Sequence, residues 1–188
     1  LLTVSLWAAS PEIYIQTHPN QKAASFEKIV ANLKRITTSR KDKVLRVFIH
    51  NVLMSQNHHE VEAMLKLALD VGADEVHFTI VDPIPGKTDT LLLSHEEHQV
   101  VTRSLEKLKP LIDKHNFYIE PETGRTIQVT NFHEFYAKMC QPEVEEGVYD
   151  KRAADKIPCY IGWTYTRIMA DGRVIPCCKG HRLPMGNL

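Results

Sequence analysis

The alternation of short apolar strands with amphipathic helices constrains this chain most. Leu1–Trp7 reads as a strand, Ser25–Thr37 as a helix with Phe26, Ile29, Val30 and Leu33 on one face, and Val44–Leu53 as the next strand. Asn57, with Glu60 three residues on, makes a capping-box-like start to a helix that buries Val61, Met64, Leu65, Ala68 and Val71 and ends at Gly72. Glu75–Val81 is a strand, broken by Asp82-Pro83-Ile84-Pro85-Gly86. Ser94 and Glu97 form a capping box for a helix to about His115, with Val101, Leu105, Leu108 and Ile112 facing in and Pro110 expected to kink or split it. Phe117–Glu120 reads as a short fourth strand, and Asn131–Cys140 as a helix with Cys140 a structural thiol.

That order predicts an α/β fold with a parallel sheet and right-handed crossovers, a parallel barrel or half barrel. The strand faces agree. Val76, Phe78 and Ile80 form an apolar row suited to helix packing, while His77 and Thr79 share the other face; Val4 and Leu6 likewise oppose Thr3 and Ser5. A polar inner face suits a ligand cavity.

Composition narrows the partners. Lysine plus arginine equals aspartate plus glutamate at 23 each, so no basic excess points to nucleic acid or to an anionic membrane. There is no run of 18 apolar residues and no signal peptide, and four cysteines are too few for a secreted disulfide framework. A soluble protein of the reducing cytoplasm is expected.

The C-terminal stretch carries the chemistry. Asp171-Gly172 is a two-residue hairpin signal between strand-forming runs, Thr164–Met169 and Arg173–Ile175, and such a hairpin brings Cys159 and Cys177 together. Paired thiolates suit a soft metal centre, zinc or iron-sulfur iron. A zinc set of Cys159, Cys177, Cys178 and His181 lacks a Cys-x2-Cys knuckle, and Cys178, adjacent to Cys177, points the other way along an extended chain.

Cys159-x12-Gly172-x4-Cys177, with Trp163, Pro176 and Gly186-Asn187 in order, resembles the start of the SPASM or twitch extension of radical S-adenosylmethionine enzymes. The body resembles the C-terminal half of that family's partial barrel. The resemblance divides the chain into a partial barrel over 1–125, a helical linker over 126–156 and the start of a small cysteine-containing β-hairpin extension over 157–188. It implies an auxiliary 4Fe-4S cluster held by Cys159 and Cys177 with Trp163 as an apolar wall, and S-adenosylmethionine contacted by Ser5, His18 and Asn51. Trp7 stands where relatives commonly have Asp, and His18 falls where many place Arg. The family's Cys-x3-Cys-x2-Cys loop is absent from these residues and is expected upstream of Leu1, so the chain reads as a fragment unable to start radical chemistry alone. The implied activity is reductive cleavage of S-adenosylmethionine to a 5'-deoxyadenosyl radical that abstracts hydrogen from a peptide, protein or small-molecule substrate. A flavodoxin or ferredoxin is the implied electron donor. A zinc-stabilised α/β binding module is the alternative.

Overall fold

Three strands share one alternation. In β1 (Leu2–Ser5), β2 (Val47–Leu53) and β3 (Glu75–Ile80), every second side chain is buried or partly buried and those between are more exposed. Such a period of two marks a sheet covered on one face. The computed structural model describes residues 1–40, 45–141, 160–177 and 184–187, which fall into two units, Leu1–Tyr149 and Asp150–Leu188.

The first unit is a five-stranded sheet in the order β1-β2-β3-β5-β4, where β4 is Phe117–Ile119 and β5 is Thr126–Val129. β1, β2, β3 and β5 run parallel, and β4 is antiparallel to β5. The helices are α1 (Pro11–Thr17), α2 (Ala23–Ser39), α3 (Val61–Asp70), α4 (His95–Leu108) and α5 (Phe132–Met139). Because the parallel strands follow one another across the sheet in chain order, right-handed crossovers carry their helices onto the same face. The core agrees: Val47, Ile49, Val76 and Phe78 from the strands join Leu33, Leu65, Leu105 and Phe132 from the helices in one buried cluster. Each such side chain contributes about 1.5–3 kcal/mol by leaving water. Among the described residues, no helix is long and apolar enough to cross a membrane.

Local chemistry sets the element ends. Ser94 and Glu97 form the expected capping box at the start of α4. Pro110 sits in a 3-10 turn, Lys109–Leu111, that ends the helix several residues before His115. Gly72 closes α3 with φ +71, a conformation that costs a residue with a Cβ. Three expectations change. Asn57 makes no side-chain cap, and a 3-10 turn, His58–Glu60, precedes α3. α1 occupies a stretch given no element from sequence, started by Ser10, whose hydroxyl accepts from the Ile13 amide, and by Pro11 in the first turn. The fourth parallel strand is β5 rather than β4, because the Glu120–Arg125 connection is too short for a crossover and must make a hairpin. Within the 126–156 stretch read as a helical linker, the described residues form β5 and α5, which belong to the first unit.

The second unit is small. A helical turn, α6 (Ile161–Thr164), precedes an antiparallel sheet of β6 (Arg167–Ile168), β7 (Arg173–Ile175) and β8 (Gly186–Asn187) in that order. Val174 lies opposite Ile168 on one side and Gly186 on the other.

Candidate functional site

A singly wound sheet leaves its second face free of helices, and here that face is polar. Pairing aligns Ser5 with His50 and His50 with His77 on three neighbouring strands. Just past Val129, the Thr130 hydroxyl lies 2.9 Å from His77 Nδ1. The result is a transverse row, Ser5, His50, His77, Thr130, crossing four parallel strands. Thr79 Oγ1 stands 3.3 Å from His50 Nε2, and the Phe48 ring centroid lies 5.9 Å from that of His77.

The two imidazoles are 5.4 Å apart, centroid to centroid. Burial holds the pKa of each below the ordinary 6.5; at His77 the neighbouring His50 adds to the lowering and Glu134 opposes it. The neutral form of each therefore predominates at pH 7. Thr130 Oγ1 also lies 3.4 Å from the Val76 carbonyl; when it donates there it accepts from His77 Nδ1–H, and Nε2 then keeps its lone pair. Neutral imidazoles in this state accept protons, accept hydrogen bonds or ligate metals.

A cavity of about 150 Å³ opens beside the row, lined by His77, Thr79, Asn131, Glu134 and Lys138. Its wall depends on Asn131, whose Oδ1 accepts from the Phe78 amide at 3.3 Å and whose Nδ2 donates to the Phe78 carbonyl at 2.7 Å. That side chain pairs with β3 where β5 has ended. A larger cavity of about 650 Å³ lies at the opposite, N-terminal end of the strands, with Arg40, Arg46 and Arg125 in its lining. Each of these arginines is paired with a carboxylate: Asp74, Glu75, and Asp70 with Glu120 respectively. Their charge is already neutralised.

The C-terminal rim of the sheet is fastened by buried polar groups. Glu60 accepts from the Ala9 amide at 2.8 Å and from the Ser10 hydroxyl at 2.5 Å, fixing the loop that leaves β1. Trp7 takes a left-handed φ of 55 in that loop. His18 ends α1 with its ring stacked on Tyr14 at 4.2 Å and 5.4 Å from Trp7; burial lowers its pKa.

The residues singled out from sequence are thus distributed. Ser5 is exposed on the uncovered face. Asn51 belongs to the helix-covered side of β2, between Ile49 and Leu53, 1% exposed, and neither polar atom of its side chain has a hydrogen-bond partner. The sheet therefore separates Ser5 from Asn51. Cys177, free and half-buried, follows β7 in the second unit; Cys159 lies outside the described residues, as do Cys178 and His181. The hairpin closes between Met169 and Arg173 around Ala170, Asp171 and Gly172, one residue longer than the expected turn, with Gly172 at φ +85. The Arg173 side chain, helped by its own backbone amide, holds the Asp171 carboxyl below the usual range. Trp163 is 89% exposed. Among the described residues, no group of three or more His, Cys, Asp or Glu converges as a metal site.

Sequence reasoning missed Thr130, Asn131 and Glu134, which reach the row only because β5 is a strand. The signal was the Ile127/Val129 alternation against Thr126, Gln128 and Thr130. No protein-family profile, curated protein or solved structure matches the chain.

Proposed function

We propose that the chain is the C-terminal half of a partial (β/α) barrel, followed by the start of a SPASM or twitch extension, from a cytoplasmic radical S-adenosylmethionine enzyme acting on a peptide, protein or small-molecule substrate. One observation carries the reading: a parallel sheet wound on a single face presents a polar, uncovered row with Ser5 exposed in it. A barrel wall has this character, with helices outside and ligand-facing side chains within. Support for the extension is the antiparallel order of β6, β7 and β8, with Cys177 just beyond β7 and Gly186-Asn187 forming β8.

When bound, S-adenosylmethionine supplies the radical that removes a substrate hydrogen, and the auxiliary 4Fe-4S cluster supplies an electron acceptor or a substrate-binding iron. This chain's residues do the rest. The Ser5 hydroxyl hydrogen-bonds the cofactor from the end of β1. His50, His77 and Thr79 orient polar groups of cofactor or substrate, and the Phe48 ring keeps water from the lower part of the face. Cys177 holds iron, with Cys159 as its proposed partner. His18 lies on the loop side of the same rim. Asn51 is buried beneath the opposite face and takes no part in this row.

The test uses the full gene product, which this reading requires to carry Cys-x3-Cys-x2-Cys upstream of Leu1, purified without oxygen. Cys159→Ala with Cys177→Ala should remove the auxiliary iron while 5'-deoxyadenosine formation persists and substrate turnover falls. Ser5→Ala should weaken S-adenosylmethionine binding by about 1 kcal/mol, the scale of one neutral hydrogen bond. Stoichiometric zinc without iron, or iron content unchanged in the double variant, overturns the reading.

A further inference from the structure

We infer that His50 and His77 together bind one borderline divalent cation, such as Zn²⁺ or Co²⁺, on the uncovered face of the sheet, with the remaining coordination positions open to water or to a substrate oxygen. The first support is spacing. The two residues are register partners on adjacent parallel strands, and their ring centroids are 5.4 Å apart. Two imidazoles that each set a nitrogen about 2.0–2.1 Å from one tetrahedral ion have centroids roughly 5 Å apart. The observed separation is of that size.

The second support is the state of the nitrogens. A ligating histidine needs one nitrogen bare and the other tied, usually as an N–H donor to an oxygen, which fixes both tautomer and ring direction. His77 meets this need in the tautomer that donates Nδ1–H to Thr130 Oγ1, 2.9 Å away, which leaves Nε2 bare. At His50, Thr79 Oγ1 engages Nε2.

The third support is the surroundings. Glu134, exposed on α5, draws positive charge toward His77, and it lines the adjoining cavity with Lys138 on the next turn. No third His, Cys, Asp or Glu among the described residues converges on the pair. The ion is therefore held by two protein ligands and keeps open positions, as a substrate-binding Lewis acid does. The inference does not depend on the radical reading, because neither histidine is used there as an iron ligand.

Co²⁺ alone, titrated into the intact chain, tests it. One equivalent should bind at the histidines, broadening the amide resonances of Thr79 and Thr130, and any further equivalent taken by Cys159 and Cys177 is told apart by its thiolate-to-cobalt charge transfer in the near ultraviolet. His50→Gln and His77→Gln should each weaken binding at least about tenfold, and Thr130→Val about tenfold, the usual effect of removing a group that orients a ligand. Cys177→Ser should remove any thiolate-to-cobalt charge transfer and leave the broadening at Thr79 and Thr130 in place. Acidification through the imidazole range should release the ion, with His50, Glu134 and Lys138 as the charged neighbours that set the midpoint at His77. No binding at millimolar Co²⁺, no broadening at Thr79 and Thr130 in the wild-type chain, or affinity at that site unchanged in both glutamine variants overturns the assignment. Thermal unfolding of each variant identifies any affinity loss that comes from misfolding, and the wild-type broadening pattern then decides alone.

Discussion

The buried amide of Asn57 donates to the carbonyl oxygen of Trp7, 2.9 Å away and 50 residues earlier in the chain. The same Nδ2 donates to the Val52 carbonyl, and Oδ1 accepts from the Met54 amide, each at 2.8 Å. One side chain thereby joins the C-terminal ends of β1 and β2 and holds the backbone where Trp7 turns left-handed. Asn57→Ala removes three hydrogen bonds and leaves buried backbone groups unpaired, a loss of about 2–4 kcal/mol. A lower urea midpoint with an unchanged slope is the expected result; a midpoint equal to wild type would show that the junction holds without it.

Folding stability should fall as pH drops through the imidazole range. Burial, the largest cause in each case, lowers the folded-state pKa of His18, His50 and His77 below the ordinary 6.5. The unfolded chain then binds protons at higher pH than the folded one, so the stabilisation is complete above 6.5 and is lost as pH falls through the lowered folded values. Glu134 softens the effect at His77. Urea unfolding between pH 8 and pH 5 should show that slope, and His77→Gln should flatten it; parallel profiles for the two proteins would refute the assignment.

Gly72→Ala tests the packing of α2 against the end of α3. A Cβ at Gly72 meets Thr37 Oγ1 at 3.1 Å and Thr37 Cβ at 3.3 Å, on top of a φ of +71. Thr37 Oγ1 is itself bonded to the Val71 carbonyl at 2.6 Å, so it has little freedom to retreat. The left-handed backbone alone costs about 1 kcal/mol, and the displaced bond about 1 more. A thermal midpoint within error of wild type would contradict this geometry.

Asn51→Leu should stabilise the chain, by about 1 kcal/mol. Both polar atoms of Asn51 are buried without a partner, and an apolar side chain of similar size avoids that desolvation cost. Loss of stability instead would mean that the amide holds a ligand or an internal water in solution.

What could be read from the sequence was what a period of two or of 3.6 encodes. Val76, Phe78 and Ile80 against His77 and Thr79 sorted the faces of β3 correctly, because alternation is local and the core is on one side. Ser94 and Glu97 were legible for the same reason, a motif closed within one turn. Asn57 was not: as a residue type it fits a helix cap, and only the approach of Trp7 recruits its side chain elsewhere. β5 was hidden because four residues in a hairpin carry little periodicity, and with it went the pairing of Thr130 to His77 across 53 positions. Cys177 was visible as a residue with chemistry, and Cys159, its proposed partner, lies outside the described residues.

Asn131 does with one side chain what a strand does with its backbone, taking both the amide and the carbonyl of Phe78. The upper flank of β3 is thereby stoppered at Phe78, where an incoming strand would otherwise find those two groups. Sheet growth ends there, and the space beside Thr79 is left for side chains and whatever small molecule they receive. A single amide thus decides that this margin of the sheet is a doorway rather than a seam.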